Sequence, residues 1–289
     1  MSQLEGAGTP ENLKLPLKVY WQPGCSSCLK TKEFLLEHGV PFESVNVLDD
    51  KDGFEELEAL GIRIVPIAAR GNVWANGAVF RDVAKVAGFA YEDYEILSPK
   101  IIRDKVLMIL DAAIRYLVQI PDENLDEVLP GRPRSYRQLV YHIFDIPKVF
   151  LDRVEHGAPY TYEALKSILP PEIKTKNDLL EYGRQTRERF SVWWDRDGVS
   201  TDYTQPAEVY YGEVNLHELL ERTGWHSGQH LRQVILILRE KLNIQPDTPL
   251  TETDLKGLPI PKNAWDNERS FEEQSYSPIA ETWATAKTG

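Results

Sequence analysis

The hydrophobic period of this chain changes once, near Ser98, and that change excludes one continuous fold. Before it, short apolar runs alternate with short helical segments. Leu17 to Trp21 reads as a strand that Pro23-Gly24 ends, and Ser26 to His38 places Leu29, Phe34, Leu35 and Leu36 at helical spacing before stopping at Gly39. A second strand is expected over Val40 to Val47 and a second helix over Lys51 to Leu60, closed by Gly61. Ile64 to Ala68 and Val73 to Trp74 should form a hairpin around Arg70-Gly71-Asn72, and Arg81 to Ala87 a third short helix. The order βαβαββα over residues 15–92 is that of a thioredoxin-like α/β domain.

Past Ser98 come long helical segments with readable starts. Ser98-Pro99 is a cap with proline at the first helical position, opening a helix to about Ile120. Ser135 with Gln138 forms a capping box before a helix to about His156, inside which Pro147 should produce a kink. Thr175 with Asp178 opens a helix to about Asp195, and Asn215 with Glu218 one to about Leu242. Four such helices predict an all-α bundle over residues 97–245. The linker, Ala90 to Leu97, holds Tyr91, Tyr94 and Ile96 and should be packed, fixing the domains' relation. Residues 1–14 read as a mobile lead-in, and 246–289, with five prolines, as an extended tail that either wraps the surface or is disordered.

The length of 289 residues accommodates two domains, and 42% hydrophobic with 27% charged residues is globular composition. A net charge of −12 argues against nucleic acid as a partner. No run of about 18 apolar residues is present, so no membrane span is expected. Met1 to Glu11 is polar and lacks the apolar stretch of a secretion signal. Both cysteines of the chain sit in one Cys-x-x-Cys, which suits a reducing compartment, the cytoplasm.

Cys25 lies between a strand and a helix, so unpaired helix N–H groups and the helix dipole favour its thiolate. Thiolate is the attacking species in disulfide exchange, and Cys28, one turn on, can resolve a mixed disulfide. The same pair alone also fits half a zinc site or inert thiols, but the only nearby histidine is His38, at the helix's far end. Val65-Pro66, before a strand, sits where thioredoxin-like folds carry a cis-proline beside the sulfur. The stretch around residues 16–90 resembles the glutaredoxin family. That resemblance implies Cys25 as nucleophile and Cys28 as resolving thiol, with Tyr20, Val65 and Pro66 binding the thiol partner. The motif Cys-Ser-Ser-Cys and the segment Trp74 to Asp82 depart from the family's glutathione-binding pattern.

His226 and His230 are four residues apart and share one helix face, a spacing that lets two imidazoles reach one metal ion. His142, flanked by Leu139, Ile146 and Val149 on an apolar stripe, should point into the bundle as a third ligand. Each could instead be ordinary: a polar surface pair, and a satisfied core histidine. Together, followed by Leu231-Arg232-Gln233, they resemble the DinB superfamily over about residues 98–245. That resemblance implies a divalent metal on His142, His226 and His230, with zinc, nickel or iron all acceptable. Asp145 and Gln229 are candidates to orient the ligands. His38, His156 and His217 read as structural or solvated, and some of the aromatic set from Phe190 to Trp225 as lining a pocket.

The combined expectation is a thiol-dependent metalloenzyme acting on a small thiol or disulfide, glutathione among the possible thiols. Two alternatives stand: oxygen-dependent sulfur chemistry at non-haem iron, and a non-enzymatic redox or metal-responsive protein. A homodimer is compatible with the bundle class.

Overall fold

The structure is a computed structural model and describes residues 2–128 and 134–265. Its first domain contains α1 (Pro10–Leu13), β1 (Lys18–Trp21), α2 (Ser26–Glu37), β2 (Glu43–Asn46), α3 (Lys51–Ala59), β3 (Ile67–Arg70), β4 (Val73–Asn76) and α4 (Phe80–Ala87). The sheet order is β2-β1-β3-β4, with β1 and β2 parallel and the other pairs antiparallel. Alternation along β1 sends Val19 to a core with Leu35, Ala68 and Val83, and Tyr20 to the opposite core with Val45, Leu57 and Ile67. The Val65–Pro66 peptide is cis, as a thioredoxin-like fold requires.

The second domain is built from α5 (Pro99–Gln119), α6 (Tyr136–His156), α7 (Lys176–Arg196) and α8 (Leu216–Leu236). The capping boxes at Ser135, Thr175 and Asn215 all form, each tying the cap hydroxyl or amide to the third helical N–H. Ser98 makes no side-chain cap bond, so Pro99 at the first position sets that start. The last helix widens into a π-helical stretch at Ile237–Lys241 rather than running on as α-helix. α8 packs on α5 and α6, while α7 packs on the same two helices, so α6 and α8 are neighbours and α7 lies across the bundle from α8. A hairpin, β5 (Pro206–Val209) and β6 (Gly212–Asn215), joins α7 to α8 and turns at Tyr210-Tyr211.

The domains dock through α8. Arg81 pairs with Glu218 at 2.7 Å, the linker Tyr94 hydroxyl donates to Glu221 at 2.6 Å, and Arg222 donates to Ser27 on α2 at 3.1 Å. The Lys30 ammonium lies 4.5 Å over the Trp225 ring. Burial in this seam pushes Lys30 down to about 7 and Glu221 upward.

One reading of the chain ends needs correction, and one is decided between its alternatives. The lead-in is not loose: Gln3 exchanges two backbone hydrogen bonds with Trp74 at 2.8 Å each, pairing along the free edge of β4, and Thr9 caps α1. Residues 246–265 take the wrapped course of the two expected for the tail. They include α9 (Glu252–Leu255) and then cross both domains, with Lys262 and Asn263 donating to Glu33 on α2. The remaining expected tail, 266–289, lies outside the described residues.

Gly183 on α7 shows how closely the bundle packs: a Cβ there would sit 2.6–2.9 Å from the Phe144 ring. Gly183→Ala should gain about 1 kcal/mol of helix propensity but lose about 1–3 kcal/mol to overpacking. Denaturant titration should therefore show a net loss of stability; an unchanged or raised midpoint would contradict the packing.

Candidate redox and metal site

α6 carries His142 inward, and one turn of α8 separates His226 from His230. Their ligand nitrogens all lie within 4.8 Å of one another. The ring centroids are 5.1, 4.7 and 4.9 Å apart, and all three residues are at least nine-tenths buried. The expected trio is therefore brought together.

Two hydrogen-bond chains set the tautomers. Ser167 Oγ donates to Asp145 Oδ2 at 2.7 Å, so it accepts from His142 Nδ1 at 2.5 Å, and Nε2 of His142 keeps its lone pair. Asp145 also accepts from Tyr182 and Tyr141 at 2.9 and 3.2 Å. Burial pushes its carboxyl up, and the hydroxyl donors oppose that shift. On α8, Gln233 Nε2 donates to the Ala264 carbonyl at 2.8 Å, which turns Oε1 to accept from His230 Nδ1 at 2.8 Å. His230 Nε2 then faces Ser26 Oγ at 3.5 Å.

Buried neutral imidazoles with nitrogens this close suit one divalent cation better than three protons, which would repel. The donor set is compatible with zinc, nickel or ferrous iron. Of the expected orienting groups, Asp145 acts through Ser167. Gln229 does not touch a ring; it bonds Arg232 and the carbonyls of Asn263 and Ala264. Gln233 holds the place assigned to Gln229. Its position three residues after His230 on the same face could have revealed it, whereas Ser167, in a loop, left no signal.

Cys25 and Cys28 form a disulfide with Cα atoms 5.2 Å apart. Cys25 caps α2, its sulfur accepting from the Cys28 N–H at 3.2 Å, while Cys28 is fully buried. Cys25 and Val65 line a cavity of about 260 Å³ whose other walls include His142, His226 and His230. Tyr162 and Tyr210 also face it, whereas Phe190, Trp193 and Trp194 are bundle core. Tyr20 sits elsewhere: its buried hydroxyl donates to Glu56 at 2.7 Å, and it does not line this cavity. Pro66 supports the wall from behind, against Gly77. His38 bonds the Phe34 carbonyl and His217 the Leu97 carbonyl, structural roles as expected.

Comparison with known proteins divides the chain at the same place. Residues 17–73 match the glutaredoxin family and residues 108–234 the DinB superfamily. The chain thus carries a glutaredoxin-like domain fused to a DinB-like helical domain. It is 39% identical over 44 residues to the global transcriptional regulator Spx of Enterococcus faecalis, covering 15% of this chain and 33% of Spx. It is 43% identical over 44 residues to an uncharacterized glutaredoxin-like 8.6 kDa protein of Clostridium pasteurianum, covering 15% of this chain and 59% of that one. Glutaredoxin-like protein NrdH of Lactococcus lactis is 26% identical over 69 residues, 24% of this chain and 96% of NrdH. The matched stretch thus spans only about a third of Spx.

The orienting chains carry a measurable consequence. Ser167→Ala and Gln233→Leu should each weaken zinc binding by about 10–100-fold, read by competition with a chromophoric chelator. His142→Ala should lower stoichiometric binding below detection. Affinities unchanged in both orienting variants would show that the tautomers are set some other way.

Proposed function

We propose that the protein is a thiol-disulfide oxidoreductase acting on a low-molecular-weight thiol, with a divalent metal at the three histidines beside the reacting sulfur. One observation carries this reading: Cys25 and the imidazoles of His142, His226 and His230 open onto one cavity.

The disulfide is attacked at Cys25, because Cys28 is sealed. An incoming thiolate RS⁻ bonds to Cys25 Sγ as the Cys25–Cys28 bond breaks, and Cys28 leaves as thiolate. A second RS⁻ attacks the outer sulfur of the mixed disulfide, releasing RSSR and the Cys25 thiolate. The protein gains two electrons and two RS⁻ become one RSSR. The α2 N-terminus stabilises the Cys25 thiolate through the Cys28 N–H and the dipole. Run backwards, the same steps reduce RSSR. Ser26 spaces His230 from the cysteine turn, and Val65 offers backbone to the thiol partner. A metal held by His142, His226 and His230 would supply Lewis acidity that lowers the pKa of a nearby thiol. The bundle roofs the sulfur with its own side chains, which favours small thiols over protein disulfides. Transfer of the activated thiol to an electrophile is compatible with the same arrangement.

Three variants test it. Cys25→Ser should abolish exchange with small disulfides. Cys28→Ser should accumulate a mixed disulfide, seen as a mass increase of one thiol. His226→Ala should slow exchange about threefold, the net effect of one unit of thiol pKa once the greater nucleophilicity of the less acidic thiolate is counted. Exchange that survives Cys25→Ser would end the proposal.

A further inference from the structure

The chain's net charge is −12, yet the cavity that Cys25 shares with the histidines reverses this locally. Its charged lining consists of Arg134, Lys166 and Arg222, with no carboxylate among the described lining residues. Arg222 is only 5% exposed and comes from α8, between the two domains. Its guanidinium lies 4.7 Å from the Tyr211 ring centre and 5.2 Å from that of Trp225. It donates to Ser27 Oγ and Tyr210 Oη at 3.1 Å each, and its buried Nε has no hydrogen-bond partner among the described residues. A desolvated cation is costly without a counter-charge. Its direct partners are phenols, an indole and a hydroxyl, with Lys30, Glu218 and Glu221 lining a neighbouring cavity that Arg222 also borders, and Ser27 is two residues from Cys25. Lys166, from the bundle loop, reaches the same cavity over the Tyr162 ring at 5.2 Å, its contact to Glu163 being a loose 4.0 Å.

We infer that the small thiol exchanged at Cys25 is anionic, bearing a carboxylate, sulfonate or phosphate group that Arg222, Arg134 and Lys166 receive. The inference rests on the thiol-exchange reading above and adds the substrate's charge. The cavity volume, about 260 Å³, lies below the roughly 300–1,000 Å³ of drug-sized pockets, so the thiol is compact. An anion drawn from solution by this local field gains on-rate despite the protein's overall negative charge, and added salt removes that gain.

The test uses the full chain and thiols of nearly equal size: 2-mercaptoethanesulfonate, 2-mercaptoethanol and cysteamine. Rates of reduction of the Cys25–Cys28 disulfide are followed by quenched alkylation and mass spectrometry, and expressed per thiolate at low ionic strength. The sulfonate should react about tenfold or more faster than the neutral thiol, and cysteamine slowest. The sulfonate advantage should shrink toward unity with added salt and in Arg134→Gln/Lys166→Gln, and persist in the charge-conserving Arg134→Lys/Lys166→Arg. Equal per-thiolate rates for the three thiols, or an advantage that neither added salt nor the double glutamine variant reduces, overturn the anionic assignment while leaving the exchange reading standing. If no thiol reduces the protein faster than it reduces a linear Cys-Ser-Ser-Cys peptide, both fall.

Discussion

Burial of α8 on several sides is the constraint from which the rest of this structure follows. A helix at the edge of a bundle ordinarily keeps a polar face in water. Leu216–Leu236 keeps almost none, although it carries Glu221, Arg222, Gln229, Arg232 and Gln233. Its apolar residues meet α5 and α6, while its polar residues meet α2 of the other domain and the segment Pro261–Ala264. Most of these buried polar groups take a protein partner, since leaving one unmade costs about 1–3 kcal/mol. That requirement turns a joint between two domains into a defined geometry, and it sets His230 beside Ser26.

The same requirement explains the state of the imidazoles. Ser167 and Gln233 each take a ring Nδ1–H because their own hydrogen-bond partners, Asp145 and the Ala264 carbonyl, leave them no other role. The opposite nitrogens of His142 and His230 are thus left as the acceptor nitrogens of these two rings. Pre-set ligands lose less freedom on binding than ligands that must turn, which is the physical value of an outer hydrogen-bonded layer.

Much of this was legible in the sequence because the signals were local. Capping pairs such as Asn215 with Glu218 lie three residues apart, the His226/His230 spacing is a property of one helix, and Cys25 announces itself by its place between strand and helix. The trio with His142 was legible because its apolar neighbours gave its direction. What stayed hidden depends on distant parts of the chain. Ser167 meets His142 across 25 positions, and Arg222 meets Ser27 across 195. The β5–β6 hairpin was missed because strands of four residues around Tyr210-Tyr211 offer too little alternation. The lead-in was misread, and residues 246–265 stayed open between a wrapped and a disordered course, for one reason: their polar, proline-bearing composition gives no sign of a neighbouring edge or helix.

The strap shows how far such distant contacts reach. Its four residues, Pro261–Ala264, are satisfied from both domains at once. Glu33 on α2 accepts from the Lys262 and Asn263 N–H groups at 2.6 and 2.9 Å. Arg232, Gln229 and Gln233 on α8 take the carbonyls of Pro261, Lys262, Asn263 and Ala264. Glu33 is buried enough that its carboxyl is pushed up, and the strap's N–H groups counter that shift. The segment that aligns α2, which carries Cys25 at its cap, is thus the segment that orients Gln233 and through it His230. Docking of the domains and orientation of His230 therefore share one segment, because the strap that gives Glu33 its donors is the strap whose Ala264 carbonyl fixes the Gln233 amide.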